Sequence, residues 1–97
     1  MKQPALKNAQ AFARQYPIQV SAPSQEELDA LQVGMCVKVG VGDTFKNSEA
    51  FWAEVHEITP THIVGVIVNE LRFTETHGLK ALDVIQITRD NVFIITD

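Results

Sequence analysis

The chain contains one cysteine, Cys36, in 97 residues. An internal disulfide is therefore excluded, and the usage fits a reducing compartment. No run comes near the about 18 apolar residues of a membrane span. The N-terminal stretch MKQPALKNAQAFARQYP is broken by Lys7, Asn8, Gln10 and Arg14, so no secretory signal is expected there. Basic residues are few: 8 Lys and Arg against 12 Asp and Glu, a net charge of −4. The eight are scattered as Lys2, Lys7, Arg14, Lys38, Lys46, Arg72, Lys80 and Arg89. Phosphate-backbone binding needs such residues clustered, so no nucleic-acid partner is expected. Internal repeats and low-complexity tracts are also missing. These absences together predict a cytoplasmic protein with no membrane partner.

What is present is an ordinary globular composition, 45% hydrophobic and 21% charged. Residues 1–97 are expected to form one domain, with a helical N-terminal arm over 1–32 and a β-barrel-like core over 33–97. A chain of this size buries roughly two-thirds of its unfolded surface. One core without metal or disulfide staples is then sufficient.

The stretch from 50 to 71, AFWAEVHEITPTHIVGVIVNEL, organises the rest. Two runs rich in Val, Ile, Phe and Trp flank Thr59-Pro60-Thr61-His62. Proline presets φ for the second position of a turn and cannot continue a strand, so Pro60 marks a hairpin turn. With Pro60 and Thr61 as the loop, Ile58 faces Ile63, His56 faces Gly65, Glu54 faces Ile67 and Trp52 faces Asn69. Side chains alternate along a strand. One face then carries Phe51, Ala53, Val55, Val64, Val66 and Val68, the expected core face. The other carries Trp52, Glu54, His56, Ile63, Gly65, Ile67 and Asn69. A slip of one residue would put one strand on the wrong face.

Elsewhere the pattern predicts a helix over 4–16 from Leu6, Ala9, Ala13 and Tyr16, bounded by Pro4 and Pro17. The favoured reading is that this helix packs on its own sheet. Ile18 to Val20 reads as extended. Ser24 and Glu27 form a capping box before a short helix from 25 to about 32, with Gly34 placed for a left-handed turn. Residues 33–41 alternate Val33, Met35, Val37, Val39 and Val41 with smaller or polar residues, a strand with one apolar face. Residues 42–49 read as a mobile loop. Gly40-Val41-Gly42-Asp43-Thr44 lacks the G-x-x-x-x-G-K-[ST] pattern of a phosphate loop. Residues 72–83 are loop-like, with Gly78 as the turn point and Phe73 and Leu79 as anchors. Strands are expected over 84–88 and 92–96, around a turn at Arg89-Asp90-Asn91. The fold class expected is α+β, mainly β: an SH3-like partly open barrel or bent antiparallel sheet of about five strands.

Chemistry-bearing residues are sparse. His56, His62 and His77 match no metal spacing such as H-E-x-x-H, and no metal or other cofactor is expected. Cys36 has no neighbour in sequence that would activate it and reads as a packing residue. Glu54 and Glu57 point to opposite faces and cannot act as a facing carboxylate pair. Glu57 reads as a solvated charge. The remaining candidates are Trp52, Glu54, His56 and Asn69. Either the N-terminal helix covers their face and the polar groups are satisfied there, or they line a shallow ligand pocket with a Trp wall.

The segments Leu31-Gln32-Val33-Gly34-Met35-Cys36-Val37-Lys38, Trp52-Ala53-Glu54-Val55, Asn69-Glu70 and Gly78-Leu79-Lys80-Ala81-Leu82-Asp83-Val84 carry a resemblance. Together they resemble a family of small, mostly bacterial domains of unknown function. Its pattern is an L-x-x-G-D-x-V-K strand, a W-x-E-V strand, a strand ending in an Asn-acid pair, and a G-L-K-x-G-D-x-[VI] turn. The resemblance covers roughly residues 23–97, and W-x-E-V and G-L-K-x-x-D are its most specific parts. Met35 replaces the family's Asp, and Leu82 replaces its Gly. The resemblance implies no activity; it marks Trp52, Glu54, Asn69 and Asp83 as positions to test.

Three functions are therefore weighed. The first is a non-catalytic accessory or protein-interaction module. The second is a small-ligand binder or enzyme using Trp52, Glu54, His56 and Asn69. The third is a homodimer assembled through an exposed edge strand.

Overall fold

In the computed structural model, which describes residues 1–44 and 47–97, the alternation of Phe51, Ala53 and Val55 sits at the centre of one sheet. The elements in chain order are α1 (Ala9–Gln15), α2 (Gln25–Asp29), β1 (Cys36–Val41), β2 (Glu49–Ile58), β3 (Ile63–Ile67), α3 (Thr74–His77), β4 (Val84–Ile87) and β5 (Ile94–Thr96). A single 3₁₀ turn, Arg89–Asn91, joins the last two strands. All strand pairs are antiparallel, in the order β4-β3-β2-β1-β5. The expected α+β, mainly β class is correct. Among the described residues, no helix is long and apolar enough to cross a membrane.

The hairpin turn is where Pro60 predicts it. Thr59 N–H donates to the His62 carbonyl at 2.9 Å, and Ile58 pairs with Ile63. Arg89 ties this turn to the far end of the chain, donating to the carbonyls of Thr59 (2.8 Å) and Pro60 (3.3 Å).

The straight register, however, is wrong. The ladder runs Glu57 with Val64 and then Val55 with Gly65, leaving His56 unpaired as a β-bulge. An extra residue on one strand restores the phase of the two strands on either side of it. Ile63, Gly65 and Ile67 therefore join Phe51, Ala53 and Val55 in the core, and Ile63 and Ile67 are fully buried. Val64 and Val66 lie outside the core, and Val68 is exposed. The apolar content of β3 hid this, because both of its faces carry aliphatic residues. Gly65 is the small residue between Ala53 and Ile87: a Cβ there would lie 3.1 Å from Ala53 Cβ and 3.0 Å from Ile87 Cδ1.

The N-terminus differs as well. The helix starts at Ala9, not Pro4, because the Asn8 side chain accepts from Ala11 N–H (2.9 Å) and caps it. Residues 2–7 are extended instead. Lys2 bridges Ile85 in parallel, at the outer edge of β4, and Leu6 bridges Val41 antiparallel. Lys7 N–H donates to the Gly40 carbonyl at 2.8 Å. This segment thus spans from the β4 edge to the end of β1 and partly closes the bent sheet.

The N-terminal third also supplies core. Ala9, Leu28 and Leu31 are buried, and the last two share one apolar cluster with Val37, Val39, Phe51, Ile85 and Val92. Each fully buried Val, Ile or Phe stabilises by about 1.5–3 kcal/mol relative to exposure. α1 docks on the 3₁₀ turn and sets Phe12 against Phe93 (6.2 Å between ring centres). The Ser24–Glu27 capping box forms, but α2 ends at Asp29. Pro17 to Gln19 form a turn rather than the extended piece expected. β1 begins only at Cys36: Val33 is exposed and precedes the turn made by Gly34 at φ +98°.

Residues 72–83 hold the one-turn helix α3 within the expected loop. Gly78 closes it in the left-handed region at φ +76°, and Leu79 is buried. Leu82 also has a positive φ, +74°, at the position where the resembled pattern has glycine. Of the loop expected over 42–49, Phe45 and Lys46 lie outside the described residues.

Candidate functional site

Cross-strand pairing sets the outer face of the sheet. One row reads Thr96, Cys36, Glu54, Val66, Val84 across β5, β1, β2, β3 and β4. The next reads Ile94, Lys38, Trp52, and is extended by Val68, whose N–H donates to the Trp52 carbonyl (3.0 Å). Trp52 and Glu54 therefore share a face, as the strand alternation requires. His56 stays with them at the bulge: Glu54 Oε1 and His56 Nε2 lie 2.9 Å apart, with both side chains about half exposed (45% and 49%). Lys38 Nζ sits 5.7 Å from the centre of the Trp52 ring. Such a cation–π contact is worth about 0.5–1 kcal/mol at an exposed site.

Asn69 reaches this group through the backbone. Its Oδ1 accepts from Trp52 N–H at 2.7 Å, and its Nδ2 donates to the Glu70 carbonyl at 2.9 Å. Asn69 thus completes the β2 ladder where β3 has ended. The four candidates are neighbours, but three surface clefts of about 350, 340 and 330 Å³ are lined by other residues. α1 packs at the Phe93 end of the sheet rather than on Trp52. The face is an open, mixed surface of one aromatic ring, one ammonium, one carboxylate–imidazole pair and flanking aliphatic groups.

A second polar group was not visible in the sequence. Glu49, at the start of β2, accepts from Arg72 N–H (2.9 Å), Phe73 N–H (2.8 Å) and His77 Nε2 (2.6 Å). The Glu49 and His77 side chains are 9% and 10% exposed. Enclosure opposes the charge on Glu49, but the three donors outweigh it and hold its carboxyl below the ordinary value. Leu79 N–H donates to His77 Nδ1 at 3.1 Å, which fixes the proton of a neutral imidazole on Nε2. Both ring nitrogens are engaged, so the pair works as a clamp holding residues 72–79 against β2. The only local signal was an imidazole beside Gly78; its partner is 28 residues away.

Asp83 belongs to a similar tie. Lys2 Nζ lies 2.6 Å from Asp83 Oδ2 and 2.8 Å from the Gly78 carbonyl. Lys80 N–H also donates to Asp83 Oδ2 (3.0 Å). The Lys2 hydrogen bond holds the Asp83 carboxyl below its ordinary value, reinforced by the Lys80 amide. Gly78 and Asp83 therefore join the N-terminal segment to the α3–β4 connection.

His62 remains in the hairpin turn, its Nδ1 3.0 Å from Thr61 Oγ1. Glu57 is exposed. Among the described residues, no three His, Cys, Asp or Glu side chains converge as a metal site would require. Comparison with protein-family models, with curated proteins and with solved structures finds no match to this chain.

Proposed function

We propose that this chain is a non-catalytic, SH3-like protein-interaction module of the cytoplasm, and that it engages a protein partner on the outer face of its sheet. The observation that carries the reading is Trp52 on an open face, beside Lys38 and the Glu54–His56 pair. Exposed aliphatic groups continue the surface: Ile94, Val68 and Val84 are 46%, 47% and 42% exposed. Interface centres are enriched in aromatic residues ringed by polar groups, and contiguous apolar surface of this kind marks interaction sites. The sheet edges favour the face over edge-to-edge pairing. Lys2 pairs with the outer edge of β4, and β5 is only three residues long, short for a strand template.

The test is capture from a cell extract with three immobilised baits: the native chain, Trp52→Ser, and a Gln25→Ser control on the exposed side of α2. A central interface Trp contributes about 2 kcal/mol or more, which is roughly thirtyfold in affinity. The expected result is a partner held by the native and control baits and lost from Trp52→Ser at equal thermal stability. Equal capture by all three contradicts the reading.

A further inference from the structure

We propose that the cleft floored by Gly40 and Ala50 is a binding site for a small apolar monoanion, a carboxylate on a body of one or two rings. This site adjoins the docking surface and shares Lys38 and Ile94 with it, but its floor lies two residues along the β1–β2 ladder from the Lys38–Trp52 pair, and its test uses no protein partner, so either reading can fail alone. Gly40 and Ala50 are directly paired across β1 and β2. Both are small, and they are placed side by side on the outer face, where the next pair along is Lys38 and Trp52. The resulting hollow has a volume of about 350 Å³ and is lined by Lys7, Phe93 and Ile94, which follow the β5 edge of β1, together with Lys38, Ser48 and Glu49. That is at the small end of the roughly 300–1,000 Å³ usual for ligand pockets.

Two features make the hollow selective. The first is its charge. Among the described residues Lys7 Nζ bonds to Ser48 Oγ (3.0 Å), and it lies 5.8 Å from the Phe12 ring. Lys38 Nζ rests over Trp52. Among the described residues neither ammonium has a carboxylate within ion-pair distance, in a chain where acids outnumber bases. Glu49, at the rim, is already engaged by His77 and two backbone amides. The second feature is the apolar floor. The Lys7 stem lies so close over Gly40 that a Cβ there would meet Lys7 Cδ at 3.3 Å. Ala50 is exposed and leaves the other half of the floor open. Lysine stems cover apolar surface while their heads stay at the edge, so hydrocarbon lines the base and positive charge lines the rim. Two point charges without a fork of N–H donors suit a single negative charge over an apolar body better than a multiply charged phosphate.

The probe is 2-naphthoate, followed by the amide NMR shifts of Gly40 and Ala50 and by the fluorescence of Trp52, the only tryptophan. Saturable binding that shifts both amides is expected. Uncharged 2-naphthamide should bind about tenfold more weakly, and the double variant Lys7→Gln/Lys38→Gln should lose a similar factor, the combined effect of two exposed charges. Ala50→Leu, at an exposed strand position, should abolish binding by filling the floor. If that variant does not fold, the lysine pair carries the test alone. The proposal is overturned if 2-naphthoate gives no saturable shift at Gly40 and Ala50, if the amide binds equally well, or if the lysine variant binds unchanged.

Discussion

Deleting His56 separates the bulged hairpin from the straight one. In the bulged ladder, Val55 pairs with Gly65 and Glu57 with Val64, and His56 has no partner. Its removal leaves every cross-strand pair in place and joins two correctly phased half-ladders. The losses are the half-exposed Glu54–His56 contact, worth about 0–1 kcal/mol, and the local bend that a bulge gives its strand. The deletion should therefore fold and cost no more than about 2 kcal/mol. In a straight ladder the same deletion would turn Phe51, Ala53 and Val55 away from the side that β3 buries. Phe51 and Val55 are almost completely enclosed. Exposing both costs about 3–6 kcal/mol, against a total of about 5–15 kcal/mol for a domain. Deleting Glu54 supplies the contrast, because it is paired on both sides, with Cys36 and Val66. Urea unfolding followed by Trp52 fluorescence, with an amide NMR spectrum of each variant, reads the outcome. A His56 deletion as damaging as the Glu54 deletion would refute the bulge.

Glu49→Gln should destabilise by about 1–3 kcal/mol, since three donors lose a charged acceptor; thermal melts measure it. The Glu49 and Asp83 carboxyls both sit below their ordinary values in the fold, so the unfolded chain binds more protons in acid. Their contribution is complete above the ordinary carboxylate range and lost as pH falls through the folded-state values. Acid melts of Glu49→Gln and Asp83→Asn should accordingly fall less steeply than those of the native chain. Leu82→Gly should stabilise by up to about 1 kcal/mol, because Leu82 is 77% exposed and holds φ at +74°, where a side chain costs about 1–2 kcal/mol and glycine's extra chain entropy offsets part of the gain.

Local chemistry made much of this fold legible. Pro60 placed the turn, Ser24 and Glu27 placed α2, Gly34 placed a left-handed residue and Gly78 a turn point, and the spacing of Phe51, Ala53 and Val55 defined a core face. The rest depended on residues far apart in sequence. Whether His56 is paired or bulged follows from how β2 bends, and Ile63, Val64, Val66 and Ile67 are too alike to reveal which pair is buried. Residues 2–7 resemble a helix turn by spacing, but Asn8 caps the helix later and Lys2 finds Asp83 81 residues away. The candidate face was partly legible, since Trp52 and Glu54 sit together on any straight β2. Lys38 and the Gly40–Ala50 floor were not, because both require the β1–β2 register.

The most direct test of the open face is the fluorescence of Trp52, with a neutral and a charged quencher, in the free native chain. Ready quenching is expected, with iodide, drawn by Lys38, at least as effective as acrylamide, and emission at wavelengths typical of a partly exposed indole. A blue-shifted emission insensitive to both quenchers would mean that Trp52 is covered, and would contradict the interaction surface.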